Sequence, residues 1–158
     1  MLPPFRAALL LALLLSSQLS SATEPLHDHL VFGNRSGVIF PPKCCWVDLP
    51  KTERLQAMRK AERCSAIGGP VGQFKYEAGQ LWLTGLYRCG GPVPLKDVYP
   101  DFDNPALAVW LSGTFHARLD WLCRDKQGRF VYGTELTLTV ERGTVTAVSE
   151  ANYDKSSC

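Results

Sequence analysis

Beyond its first residues, the sequence lacks any long apolar run. No later stretch approaches the roughly 20 apolar residues that a membrane-spanning helix needs, so we expect no membrane span. The sequence also lacks an excess of charge of either sign, because 17 Lys and Arg residues stand against 15 Asp and Glu residues. Such a balance gives no general attraction to nucleic acid or to a membrane surface, which argues against a nucleic-acid partner.

The familiar motifs of catalysis are missing as well. The sequence has no Gly-x-Ser-x-Gly, no phosphate-binding glycine loop, no His-Glu-x-x-His and no Cys-x-x-Cys. Glu135 and Glu141 lie on one side of a predicted strand, but roughly 20 Å separates them, which is too far for the paired carboxylates of glycosidases. We therefore expect a protein that is not an enzyme, with no metal and no cofactor. A hydrolase without a familiar motif is the weakest alternative.

The N-terminus carries the one strong targeting signal. Arg6 precedes an apolar run over residues 7–15, and small residues follow at 20–22. This order is typical of a cleavable signal peptide, which we place at residues 1–22. The sequence therefore predicts a secreted or periplasmic protein.

Six cysteines follow the predicted signal peptide, and in an oxidising compartment an even number indicates a disulfide framework. They are Cys44, Cys45, Cys64, Cys89, Cys123 and Cys158. Joining Cys44 to Cys45 would strain the backbone, so we expect these two to bond in different directions, with Cys64 bridging back to one of them. The polar C-terminal tail would fray unless Cys158 tied it down, so a bridge is predicted there too.

The clearest fold signal is an alternation of apolar and polar residues over 115–124 and again over 130–141. This period of two is that of half-buried strands. Turn-forming residues at 125–128 and 141–143 separate the runs, and residues 144–149 are rich in Val and Thr. The sequence predicts an antiparallel meander of three strands.

The remaining chain divides into an arm and a domain. Residues 23–40, which include His27-Asp28-His29, are interpreted as an N-terminal arm with a possible edge strand at residues 30–32. Residues 41–158 form a single β-rich domain, with a helix over about 50–67 that begins near Asp48 and must pack on the sheet. The predicted class is α+β, predominantly β: a small antiparallel β-barrel or strongly coiled sheet with one packed helix and disulfide staples. An OB-type barrel is one form that it could take.

Two echoing runs contain the candidate ligand-binding residues: Trp82, Arg88, Trp110, His116 and Arg118. If the glycines within these runs keep the strand alternation, Trp82 and Arg88 share one side, and the other three residues share a side in the second run. Flat rings beside cations would suit an anionic or sugar-containing ligand. If each glycine shifts the phase instead, both tryptophans join the core with Tyr87 and Phe115. We favour this second interpretation because large aromatics contribute most when buried.

Two functional hypotheses follow. The first is an exported binding protein that acts by surface contact on a protein partner, as an inhibitor of an extracellular enzyme or an envelope interaction partner. Rigid loops stapled by disulfides lose little entropy on docking, which favours this role. The alternative is a module for an anionic polymer or oligosaccharide, built on the five candidate residues.

Overall fold

The computed structural model describes residues 25–43, 45–62 and 69–158. The predicted signal peptide, Cys44 and Cys64 lie outside these residues. The strands of the described chain are β1 (Asp28–Phe32), β2 (Arg35–Phe40), β3 (Val71–Glu77), β4 (Gln80–Arg88), β5 (Gly91–Val93), β6 (Ala106–Leu107), β7 (Gly113–Arg124), β8 (Phe130–Glu141) and β9 (Thr144–Asn152). Two helices accompany them, α1 (Glu53–Ala61) and α2 (Leu95–Val98), and a 3-10 turn spans Lys155–Ser157. The prediction of a predominantly β fold is confirmed.

The strands form a closed but uneven ring. Around it the order is β3, β1, β2, β7, β8, β9 and β4, and β3 pairs with β4 to close the circuit. The pairs are antiparallel except that of β1 with β3, which is parallel. β9 meets β4 only where Thr144 lies opposite Gln80, so one side of the ring is barely joined. The short strands β5 and β6 both pair with β4.

The meander forms as predicted, because residues close together in the sequence form its turns. The carbonyl of Asp125 accepts the N–H of Gly128 at 2.9 Å, and its side chain accepts the N–H groups of Gln127 and Arg129 at 2.8 and 2.9 Å. Gly128 adopts a φ of +80°, the left-handed conformation that favours glycine. β7, β8 and β9 therefore follow one another as an antiparallel sheet.

Inward-facing side chains of the ring build the core. It includes Leu30, Ile39, Phe74, Leu81, Leu83, Leu119, Leu136 and Leu138, all 1% exposed or less. Helix α1 buries Leu55 against this cluster, and α2 buries Leu95 and Val98. The predicted helix is thus present but begins later than expected: the cap is Thr52, whose hydroxyl accepts the N–H of Leu55 at 3.1 Å.

The structure of the N-terminal segment differs from the predicted arm with an edge strand. β1 and β2 form a hairpin within the ring, and β1 lies between β2 and β3 rather than at an edge. Asp28 accounts for the difference, because its side chain is completely buried and accepts hydrogen bonds from backbone N–H groups. Its carboxylate accepts the N–H groups of Gly72 at 2.5 Å and Val47 at 2.6 Å. Asp28, which was interpreted as part of an N-terminal arm, is therefore a buried acceptor that joins β1 to β3 and to the segment at Val47.

Disulfides staple the fold. Cys123 and Cys158 are joined, which confirms the predicted bridge at the C-terminus. Cys45 and Cys89 each take part in a disulfide as well, and no cysteine of the described residues is free. The predicted bridge of Cys64 to Cys44 or Cys45 is not described, because Cys64 lies outside the described residues. Within residues 25–43, 45–62 and 69–158, no helix has the length and apolar character to cross a membrane.

Candidate functional site

Three depressions meet on the outer face of the ring, around the chain segment 40–42. The first has a volume of about 350 Å³ and shares Phe40 and Arg118 with the second, of about 550 Å³. The second shares Pro41 and Pro42 with a third, of about 420 Å³. We call the joined first and second depressions the outer groove, and define it by Val38, Phe40, His116, Arg118, Phe130 and Tyr132.

Strand register brings these side chains together. Val38 of β2 lies opposite Arg118 of β7, and Phe40 lies opposite His116. The residues between them, Ile39 among them, point inward and are fully buried. Because side chains alternate between the faces of a strand, the burial of one set places the other set outside. The same alternation that fills the core therefore builds the groove.

Arg118 is the central cation of the outer groove. Its Nε donates to Oε1 of Glu135 at 2.8 Å, and its guanidinium lies 5.2 Å from the ring centroid of Phe40. Nearly half of its side chain is exposed. Among the described residues, no acceptor is bonded to its two terminal nitrogens. A guanidinium that is held at Nε but open at its fork is oriented to grip a carboxylate or phosphate.

His116 supplies a second polar group in the groove. Its Nδ1 lies 3.2 Å from the hydroxyl oxygen of Thr137, and its ring centroid lies 5.9 Å from that of Phe40. The hydroxyl of Tyr153 donates at 3.4 Å to Oε2 of Glu135, the carboxylate that Arg118 also contacts. These groups offer hydrogen bonds and ring surface to a ligand. A nucleophile held by an oriented base, the arrangement of covalent catalysis, is not formed by them.

The larger depression combines apolar walls with positive charge. His27, Arg118 and Arg129 line it together with apolar and aromatic side chains, and no carboxylate is among its lining residues. The side chain of Arg129 is held by Asp125, to which its Nε donates at 2.6 Å. A ligand in this depression would contact arginine side chains as well as aromatic rings.

Trp110 does not lie on a strand face with His116 and Arg118, and it meets the expectation of a core residue only in part. Trp110 lies in the loop before β7 and packs partly against the core. Its indole N–H donates to the carbonyl of Asp48 at 2.9 Å, and its ring stacks on Phe102 at 5.5 Å. It also lines the third depression, beside Pro41 and Pro42. Trp110 is therefore near the outer groove, with one ring face already covered.

Trp82 and Arg88 lie elsewhere, on β4. The pairing of β3 with β4 shifts register between Gln73 and Phe74, close to Gly85. The shift changes the phase of β4, so that Leu86 is buried while Tyr87 is 38% exposed. Tyr87 and Trp82 were expected in the core on the condition that the phase shifts, and for these two residues the expectation is wrong. The phase does shift, but leucines take the inward positions on both sides of the bulge, so Tyr87 is exposed and Trp82 is only partly buried. Phe115 is buried, as expected. Of the five candidates, the structure brings His116 and Arg118 together, places Trp110 nearby, and leaves Trp82 and Arg88 outside.

Sequence reasoning missed Phe40, Arg129, Phe130 and Tyr132 as parts of this surface. Phe40 was the last residue of the predicted N-terminal arm. It lies opposite His116 because of the register between β2 and β7, which no single stretch of sequence reveals. A weak signal existed, since Val38, Ile39 and Phe40 form a short run of β-branched and aromatic residues, which favours a strand.

Comparison of the chain with models of protein families, with curated proteins and with solved structures found no match. The geometry of the outer groove is therefore the basis for a functional proposal.

Proposed function

We propose that this chain is an exported binding protein that holds an extended segment of a protein partner in the outer groove. The segment carries a carboxylate for the guanidinium of Arg118 and an apolar side chain for the larger depression. The observation that carries the proposal is the placement of Arg118, stacked on Phe40 with its fork open, at the junction of two depressions. Such a groove fits a strand or extended peptide better than a compact metabolite.

A protein partner is favoured over an oligosaccharide because the ring faces are partly occupied. Arg118 lies over Phe40, and the guanidinium of Arg124 lies 4.0 Å from the ring centroid of Phe130. Trp110 is stacked on Phe102. Sugar and base ligands use free aromatic faces as platforms, which these contacts reduce. Carboxylate recognition by an arginine fork needs no free ring face.

The same proposal includes the location and the architecture. Disulfides persist in oxidising compartments, which supports a secreted or periplasmic protein, and the role is that of an enzyme inhibitor or an envelope interaction partner. An OB-type barrel stays a prediction. Barrels of that type bind oligomeric ligands across an outer strand face, so the prediction agrees with the position of the groove without carrying the proposal.

Selection from a library of extended peptides tests the proposal. We expect the selected peptides to combine an acidic residue with an apolar one, and their amide shift changes to map to β2, β7 and β8. Arg118→Ala should weaken binding by about tenfold or more, as truncation of a central anchor does. Arg88→Ala is the matched control, because Arg88 lies outside the groove, and it should bind as the native chain does.

Two outcomes would contradict the proposal. One is selection of peptides that bind equally well to Arg118→Ala. The other is binding of sulfated oligosaccharides alone, with an affinity that falls steeply with salt, since that behaviour belongs to a polyanion site.

A further inference from the structure

The C-terminal part of β9, residues 146–152, has an edge that no second strand of the described residues covers. β4 begins at Gln80, after the turn at Ala78 and Gly79, so β9 runs past the tip of the β3–β4 hairpin once it leaves Thr144. Beyond Val145, every residue of β9 is exposed. Among the described residues, only β8 forms a ladder with this part of the strand. The ring is thus open along the second edge of residues 146–152.

The backbone groups on this free edge can be identified. Tyr153 donates its N–H to the carbonyl of Gly133 at 2.8 Å, in register with the pair of Thr134 and Asn152. In an antiparallel ladder, bonded and non-bonded pairs alternate. Ala147, Ser149 and Ala151 therefore bond to β8. The residues between them, Val148, Glu150 and Asn152, direct their N–H and C=O groups away from it.

This edge carries few of the devices that usually protect one, since the bulge in the β8–β9 ladder lies at its beginning and leaves residues 147–152 in regular register. Natural edge strands carry proline, lysine or inward charges that prevent pairing with another chain. Residues 146–152 contain no Pro and no Lys, and their one charged side chain, Glu150, is held by Arg35 at 2.9 Å. Val148 is 42% exposed. An exposed strand whose backbone groups are open along one edge is a template for another strand.

We propose that this edge pairs with the same edge of a second copy of the chain, antiparallel and symmetric about Ser149. Val148 of each copy then lies opposite Glu150 of the other, and the two Glu150 carboxylates do not face each other. The backbone groups of Val148, Glu150 and Asn152 are oriented for such a ladder. A twofold contact of this kind covers both free edges at once and closes the assembly, whereas a strand from another protein covers one edge only. The pairing does not rest on the proposed function.

Sedimentation and amide exchange of the native chain test the pairing. We expect a dimer that dissociates on dilution. The amides of Val148 and Glu150 should be protected in the dimer and exchange rapidly in the monomer. The amides of Ala147 and Ser149 should be protected in both, because β8 accepts them.

Two valine substitutions provide the matched variants. Val148→Lys puts a charge on the free edge and should give a monomer at every concentration, with the fold retained in its circular dichroism spectrum. Val109→Lys adds the same charge at another exposed valine, which lies in the loop before β7 and outside residues 146–152, and should leave the dimer intact. A native chain that sediments as a monomer throughout, with rapid exchange at Val148 and Glu150, overturns the proposal. So does equal dissociation of both variants.

Discussion

Arg35 and Glu150 join the β1–β2 hairpin to β9, although β7 and β8 lie between these strands in the ring. Nη1 of Arg35 donates to Oε1 of Glu150 at 2.9 Å, and Nη2 donates to Oε2 at 3.2 Å. Nη1 also donates to the hydroxyl of Thr134 at 3.1 Å, and the guanidinium lies 5.7 Å from the ring centroid of Phe32. A two-point ion pair thus links strands that share no backbone ladder.

Glu150→Gln should lower the melting temperature by a few degrees at most at neutral pH, because exposed ion pairs contribute little. The hydrogen bond from Arg35 lowers the pKa of Glu150. A carboxylate with a lowered folded pKa stabilises the fold above its unfolded pKa, and this stabilisation is lost as the pH falls through the folded value. Melting curves across acidic and neutral pH check this prediction. The difference from the native chain should vanish in acid, and a difference that is independent of pH would contradict it.

Asp28 should have the opposite pH dependence. Burial raises its pKa from 3.8 to about 6, although the N–H groups of Gly72 and Val47 oppose the shift. The stability that this group contributes is therefore complete below the unfolded value and is lost as the pH rises through about 6. A shift of about two units corresponds to at most about 3 kcal/mol. Denaturant unfolding between pH 4 and 7 measures it.

Asp28→Asn is the variant that isolates this effect. The amide does not titrate, so the free-energy advantage of the native chain over the variant should shrink as the pH rises. The variant should still be less stable by about 1–3 kcal/mol at neutral pH, because its NH₂ group faces a backbone N–H. Parallel pH profiles for the two proteins would show that Asp28 does not titrate in this range.

The fold was predictable where the determinants are local. Asp125 and Gly128 form their turn within five residues, and alternation alone defines β7 and β8. The parallel pairing of β1 with β3 was not predictable, because it sets His29 opposite Gln73 across a long sequence distance. Alternation tells which side of a strand is buried, but it does not tell which strands are neighbours.

The candidate site was predictable only in part, for the same reason. His116 and Arg118 share a face because they are two residues apart in one regular strand. Trp82 and Arg88 are separated by a bulge, whose position depends on how β3 pairs with β4. Phe40 joins the site through the register of β2 with β7. Contacts within one strand follow from sequence, and contacts between strands follow from the register.

Gly37 is required where β2 crosses β7 beneath the outer groove. A Cβ at this position would overlap the carbonyl of Arg118 and crowd the Cα of Leu119. Gly37→Ala should therefore destabilise the protein by about 2–3 kcal/mol, as overpacking against a backbone does. Gly90→Ala is the control, since its nearest neighbour is the flexible side chain of Arg88 at 3.6 Å. Urea unfolding of both variants measures the difference, and equal stability would refute the steric argument.

The bridge between Cys123 and Cys158 should stabilise the C-terminal tail and the whole domain. It closes a loop of 35 residues in sequence separation, for which the chain-entropy model gives about 4 kcal/mol at most. Replacing both cysteines by serine should reduce the free energy of unfolding by up to this amount and expose the tail to proteolysis. Denaturant unfolding and limited digestion check the two effects. Unchanged stability with a protected tail would show that β9 alone holds the C-terminus.

Trp110 and Trp121 provide a matched pair that separates a packing role from a ligand-binding role. Trp110 donates to the carbonyl of Asp48 and stacks on Phe102, whereas Trp121 is 59% exposed. Trp110→Phe should cost about 1 kcal/mol of unfolding free energy through the lost hydrogen bond, and Trp121→Phe should change it by less than about 0.5 kcal/mol. Urea unfolding followed by circular dichroism measures both. If Trp110 served mainly as a ligand platform, Trp110→Phe would leave stability unchanged and weaken binding of the selected peptides instead.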